Sequence, residues 1–121
     1  MEKTVIKKNE TVILPNAETA ATFFERFRGL MFAEEIPDSY GLVIKPCRQI
    51  HMFNMKFPLD VIYLSEDDTV VDIDEDIRPW KIGRTVKAAA YVIEVNAGFC
   101  ARNGIVPGDR LSVQKKEASR G

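Results

Sequence analysis

The chain has 121 residues, 45% of them apolar and 29% charged, and surface scaling predicts that folding buries roughly two-thirds of its surface, enough for one domain with a real core. Its 17 basic and 18 acidic residues leave a net charge of -1, so it lacks the positive field that draws proteins to nucleic acid or anionic lipid. Its longest apolar run, Ala88 to Ile93, is far short of the roughly 18 residues that cross a bilayer.

The N-terminal residues Glu2, Lys3, Lys7 and Lys8 put charge where an export signal has its apolar segment, which predicts a cytoplasmic protein. Val5 to Lys7 and Thr11 to Leu14, parted by Asn9-Glu10, are rich in β-branched residues and read as two strands around a turn, with Pro15-Asn16 ending the second. The apolar period then changes. Ala20, Phe23, Phe24, Phe27, Leu30 and Met31 recur at helical spacing, opposite Glu25, Arg26 and Arg28, which predicts an amphipathic helix packed on the sheet through its three phenylalanines. Asn16 or Thr19 would cap its start, and Gly29 suits its C-terminal end.

Gly41 to Ile44 is a continuous apolar run closed by Pro46, as in a central strand, and Ile50 to Asn54 reads as another. Val61 to Leu64 and Val70 to Ile73 flank the polar Ser65 to Thr69 and predict a hairpin. Residues 75 to 90, with Arg78, Lys81, Arg84 and Lys87 around Pro79-Trp80, have no period and read as a long loop. A strand over Tyr91 to Val95, a helical turn over Ala97 to Asn103 stopped by Gly104, and a last strand over Arg110 to Val113 complete the order. The fold class is therefore α+β and mainly β: a strongly bent antiparallel or mixed sheet, or a small barrel, with one main amphipathic helix and a short C-terminal helical turn. Residues 1–114 form the single domain expected, and 115–121 a polar, disordered tail.

Few residues offer chemistry. Asp72, Asp74 and Asp76 alternate along one segment, but read as a calcium loop from Asp72 the required Gly is Ile77 and the bidentate Glu is Gly83, so a solvated strand face balanced by nearby Arg and Lys is the simpler reading. Cys47 and Cys100, without CxxC spacing and with a single His, assemble neither a zinc site nor a redox pair and are expected to be reduced. No metal or cofactor is implied. The segment from His51 to Asp60 sets His51, Asn54 and Asp60 among large apolar residues, and such groups require partners in the protein, in water or in a ligand.

Several blocks resemble the DUF192 family: Arg26-Phe27-Arg28-Gly29-Leu30-Met31-Phe32, Gly41-Leu42-Val43-Ile44, Met52-Phe53-Asn54 to Pro58-Leu59-Asp60-Val61-Ile62-Tyr63, Tyr91 to Gly98, and Gly104 to Asp109. They occur in order over residues 5 to 113. The resemblance implies no activity or cofactor, since the family is one of unknown function, many of whose members carry an export signal. His51 stands where the family usually has Trp, Phe53 where it has Lys, and Met55 where it has Thr; a mechanism built on that Lys has no counterpart here.

Three functions compete. The first is a non-catalytic module binding a small ligand or a protein partner in a concave site around residues 51–60, with Arg28, His51, Asn54 and Asp60 as polar contacts and the chain a monomer. The second is a small enzyme, a hydrolase for instance, with His51 as base and Asp60 orienting it, which requires the two side chains to meet. The third is an interaction module using loop 78–87, which requires an exposed Trp80 beside Arg78 and Arg84.

Overall fold

The computed structural model describes residues 1–117. Seven strands form one sheet: β1 (Glu2–Lys8), β2 (Thr11–Ala20), β3 (Leu42–Ile44), β4 (Leu59–Leu64), β5 (Val70–Ile77), β6 (Tyr91–Asn96) and β7 (Leu111–Lys115). Their order is β5-β4-β6-β3-β2-β1-β7, with every pair antiparallel except β2 and β3. The sheet curls until its outer strands approach at one end, where Thr69 and Arg110 form an isolated bridge and the Val70 N–H donates to the Asp109 carbonyl at 2.7 Å. It is bent but not closed.

Side-chain alternation gives the curled sheet two cores. The inner face carries Ile6, Leu14, Val43, Ile62, Tyr91, Ile93 and Leu111, closed by Phe99 and Cys100 of the four-residue helix α2 (Phe99–Arg102). The outer face carries Leu42, Ile44, Leu59, Val61, Tyr63 and Val92, covered by Leu30, Ile50, Met52 and Met55 from the connecting segments. β3, β4 and β6 are buried on both faces except at Asn96, which is why they carry near-continuous apolar runs, interrupted by Asp60 in β4 and Glu94 in β6.

Three expected boundaries move. Pro15 and Asn16 do not end β2: they sit at a register shift opposite β1, where a residue without an N–H is tolerated, and the strand continues to Ala20. The amphipathic helix therefore shrinks to α1 (Phe23–Arg28), none of whose residues is buried; Phe23, Phe24 and Phe27 are 76%, 69% and 55% exposed. Ala20 belongs to the sheet and Leu30 reaches the core from the turn after the helix, so the helical spacing joined residues of three different elements. Thr22, not Asn16 or Thr19, caps α1 in a reciprocal box with Glu25, and Gly29 ends it with φ of 49°. The Ile50 to Asn54 segment forms only an isolated bridge, His51 to Ile82. Through it, and through bonds from the Met52 N–H to the Lys81 carbonyl and from the Gly83 N–H to the Ile50 carbonyl, the 78–90 loop is fastened along residues 48–52. At the C-terminus β7 includes Lys115 and the Lys116 N–H donates to the Lys3 carbonyl; residues 118–121 of the expected tail lie outside the described residues.

Candidate functional site

Along β6, Tyr91, Ile93 and Val95 join the inner core while Val92 joins the outer one, so Glu94 also points to the outer face. Leu42 of β3 and Val61 of β4 lie opposite it. The carboxyl is thus set in an apolar row with 3% of the residue exposed, and its Oε1 has no hydrogen-bond partner among the described residues. Burial pushes its pKa up from 4.5 to about 8, because desolvation disfavours the ionised form.

Beside Glu94 is a cavity of about 40 Å³, walled by Leu30, Ile44, Ile50 and Met55 and roofed by the α1–Gly29 turn. Gly29 is favoured there by its positive φ, and a Cβ would come into van der Waals contact with Glu94 Oε1 at 3.4 Å. Arg26 and Arg28 flank the opening. The Arg26 guanidinium is held by the Ala21 and Pro46 carbonyls, both at 3.3 Å, whereas Arg28 makes no side-chain hydrogen bond or ion pair among the described residues. Cys47, also on the wall, donates to the Gln49 carbonyl at 3.1 Å, and burial raises its thiol pKa. A shallower groove of about 390 Å³ shares Arg28, Gly29, Leu30 and Met31 with the cavity and adds Phe24 and Phe32.

Of the residues singled out in the sequence, Arg28 and His51 line this cavity. The His51 Nδ1 accepts from the Phe53 N–H at 3.2 Å, which leaves Nε2 to donate to the Phe27 carbonyl at 2.8 Å. Its ring stands between those of Phe27 and Phe53, with centroids 5.2 and 5.1 Å away, and Trp80 continues the series 6.4 Å from Phe53. Asn54 shapes the chain and is not part of the cavity lining: it turns the backbone with φ of 57°, and its carbonyl accepts from the Phe32 N–H.

Asp60 is elsewhere. Its neighbours Leu59 and Val61 face the outer core, so Asp60 points to the inner face, fully buried, and accepts from the backbone N–H groups of Asp76, Gly98 and Cys100 at 2.9 to 3.1 Å. The expected acid–base pair of His51 and Asp60 is therefore not assembled: the sheet separates the two side chains. In loop 78–87 Trp80 is 62% exposed, but its ring neighbour is Phe53. Arg78 is committed to Asp76, and Arg84 to Asp72 and Asp74 at 2.7 and 2.8 Å. Those pairs account for the acidic strand.

Glu94 is the residue the sequence reading passed over. Its signal was there: one carboxylate in the run Tyr91-Val92-Ile93-Glu94-Val95, where it is flanked on both sides by apolar residues, a place where an ion is not accommodated without reason.

The class is that of a mainly β protein, one bent seven-stranded sheet with two short helices. The chain belongs to the DUF192 family, described as "Uncharacterized ACR, COG1430", whose sequence profile matches residues 4–113. It is 35% identical over 111 residues to a UPF0127 protein of Thermococcus gammatolerans, covering 86% of this chain and 72% of that one. It is 42% identical over 99 residues to a UPF0127 protein of Pyrococcus abyssi, covering 78% and 82%. A crystal structure of a protein of unknown function from Novosphingobium aromaticivorans has a similar fold, with a TM-score of 0.79 and 28% identity over 91% of this chain and 83% of that one.

Proposed function

We propose that the protein is a non-catalytic binding domain that takes a small ligand into the cavity beside Glu94. The observation that carries this reading is the Glu94 carboxyl itself, buried beside open space with its Oε1 unpartnered. An unpaired buried polar group costs about 1 to 3 kcal/mol, so a leucine there would make a more stable sheet, and a ligand that supplies the missing hydrogen bonds gives the carboxyl a use. The rim of Phe27, His51 and Phe53 adds flat apolar surface against which the remainder of a ligand packs.

Among the described residues no activated nucleophile stands beside a base, which supports binding over catalysis. The Cys47 thiol is disfavoured as thiolate, both His51 nitrogens are engaged by backbone, and Asp60 is on the far face. A fragment library screened by ¹H–¹⁵N NMR tests the reading. Shifts should converge on Gly29, Leu30, Met31 and His51 and vanish in Glu94→Leu, whose melting temperature should not fall. Fragments that bind only elsewhere, or none that bind, would overturn it.

A further inference from the structure

Resting on that binding reading, we infer that the end of the ligand that enters the cavity is a small organic cation, an ammonium or guanidinium group, which pairs with Glu94. Four observations converge on this class. An ionised carboxylate accepts hydrogen bonds and donates none; the walls Leu30, Ile44, Ile50 and Met55 bring no side-chain donor, and of the donors that also line the cavity Arg26, Cys47, Gln49 and His51 are bound to backbone carbonyls, which leaves Arg28. At the end of the roof the Gly29 N–H is used by the Glu25 carbonyl and the Met31 N–H by the Arg28 carbonyl. Two or more N–H donors on one charged group are what make an enclosed carboxylate stable, because charge-assisted bonds offset its desolvation.

Size narrows the class. About 40 Å³ corresponds to roughly three water positions, which admits a head of a few heavy atoms and excludes a ring. The mouth agrees with a cation, because the half-exposed aromatic ring of Phe27 lines the cavity. Arg28 then specifies what lies beyond the head: its uncommitted guanidinium at the opening repels a bare cation and favours one whose other end is anionic. The ligand is thus a small zwitterion, with its cationic head inward against Glu94 and its acid outward against Arg28.

The experiment titrates the intact protein with three probes at constant ionic strength, methylguanidinium, guanidinoacetate and neutral acetamide, followed by ¹H–¹⁵N NMR and by calorimetry in two buffers of different ionisation enthalpy. Entry of a cation deprotonates Glu94, so binding between about pH 5 and 7 should release a proton. The other titratable or charged groups facing the site are Arg26 and Arg28 of α1, Cys47 and His51 of the loop wall, and Tyr40 with Glu18 beyond Leu42; proton release that persists in Glu94→Gln would come from these and overturn the assignment. The expected order is guanidinoacetate tightest, methylguanidinium next and acetamide weakest, with Glu94→Gln weakening both cations by about tenfold or more. Acetamide binding as tightly as methylguanidinium, without proton release, overturns the cation class and leaves the binding reading standing. Methylguanidinium binding tighter than guanidinoacetate overturns the anionic outer end. If no probe shifts the Gly29 or Met31 amides and the fragment library also fails there, both readings fall together.

Discussion

Glu94 ties stability to pH in a direction opposite to most carboxylates. In the unfolded chain it gives up its proton near 4.5, while in the folded protein burial holds the proton up to about 8. Between those values the folded state binds more protons than the unfolded one, so this group's contribution is fully present below pH 4.5 and is lost as pH rises toward 8, by up to about 1.4 kcal/mol per pH unit. Chemical denaturation of the protein and of Glu94→Leu across this window should therefore diverge, the variant gaining steadily on the parent as pH rises. Parallel curves would mean that the carboxyl is solvated when folded. Side chains that meet across the fold are harder to read in the sequence than side chains that repeat along it. His51 and Arg28 stood out by their type and do line the cavity, whereas Glu94 faces them only because β6 pairs with β3 and β4.

At the scale of elements, α1 is held by its ends. No residue in it is buried, but Thr22 and Glu25 satisfy one another's free N–H groups and Gly29 closes the last turn. Thr22→Ala should cost about 1 kcal/mol, whereas Phe24→Ala, removing a ring that is 69% exposed, should cost less than about 1 kcal/mol. Urea denaturation of the two variants checks the order, and a larger loss at Phe24 would mean that the ring packs on the sheet. The hairpin of β4 and β5 and the central strands β3 and β6 were legible, because a strand buried on both faces carries its apolar run in consecutive residues. The helix was overextended, because Ala20 and Leu30 fall at helical spacing from Phe23 and Phe27 while belonging to a strand and a turn. Spacing reports shared burial, and here the burial is shared by a composite surface. The 78–90 loop has no period because residues 48–52 supply its hydrogen bonds from outside.

The whole molecule divides at the sheet, and the division has consequences for its thiols. Cys100 lies in the inner core, where burial pushes its pKa up to about 12, and Cys47 packs against the outer core. With the sheet between them they do not form a disulfide, and both are free. The melting temperature should be the same with and without reductant; a fall of several degrees on reduction would show that they are joined.

Asp60 puts the same division to its strongest test. Its two oxygens gather the N–H groups of Asp76 on β5 and of Gly98 and Cys100 at the start of α2, so one buried carboxylate on β4 fastens two neighbouring elements to the inner core. Asp60→Ala leaves the buried Cys100 amide and the part-buried Asp76 and Gly98 amides without an acceptor, and the loss should be about 3 kcal/mol, at roughly 1 to 3 kcal/mol for a buried group and the low end of that range for the other two. In thermal unfolding that is a fall of about 10 °C or more for a chain of this size. The cavity beside Glu94 lies on the other face and shares no hydrogen bond with Asp60, so well below the lowered melting temperature the variant should bind the Glu94 probes with unchanged affinity and the same shifts at Gly29 and Met31. Stability and affinity are then separate properties of the two faces, and because Asp60 and Glu94 sit one position apart in the β4–β6 register, the departure of a double variant with Glu94→Leu from additive stability changes measures how far the two faces couple through the sheet. Affinity that falls in step with stability would mean that Asp60 shapes the outer cavity through the sheet, and that the two faces form one cooperative unit.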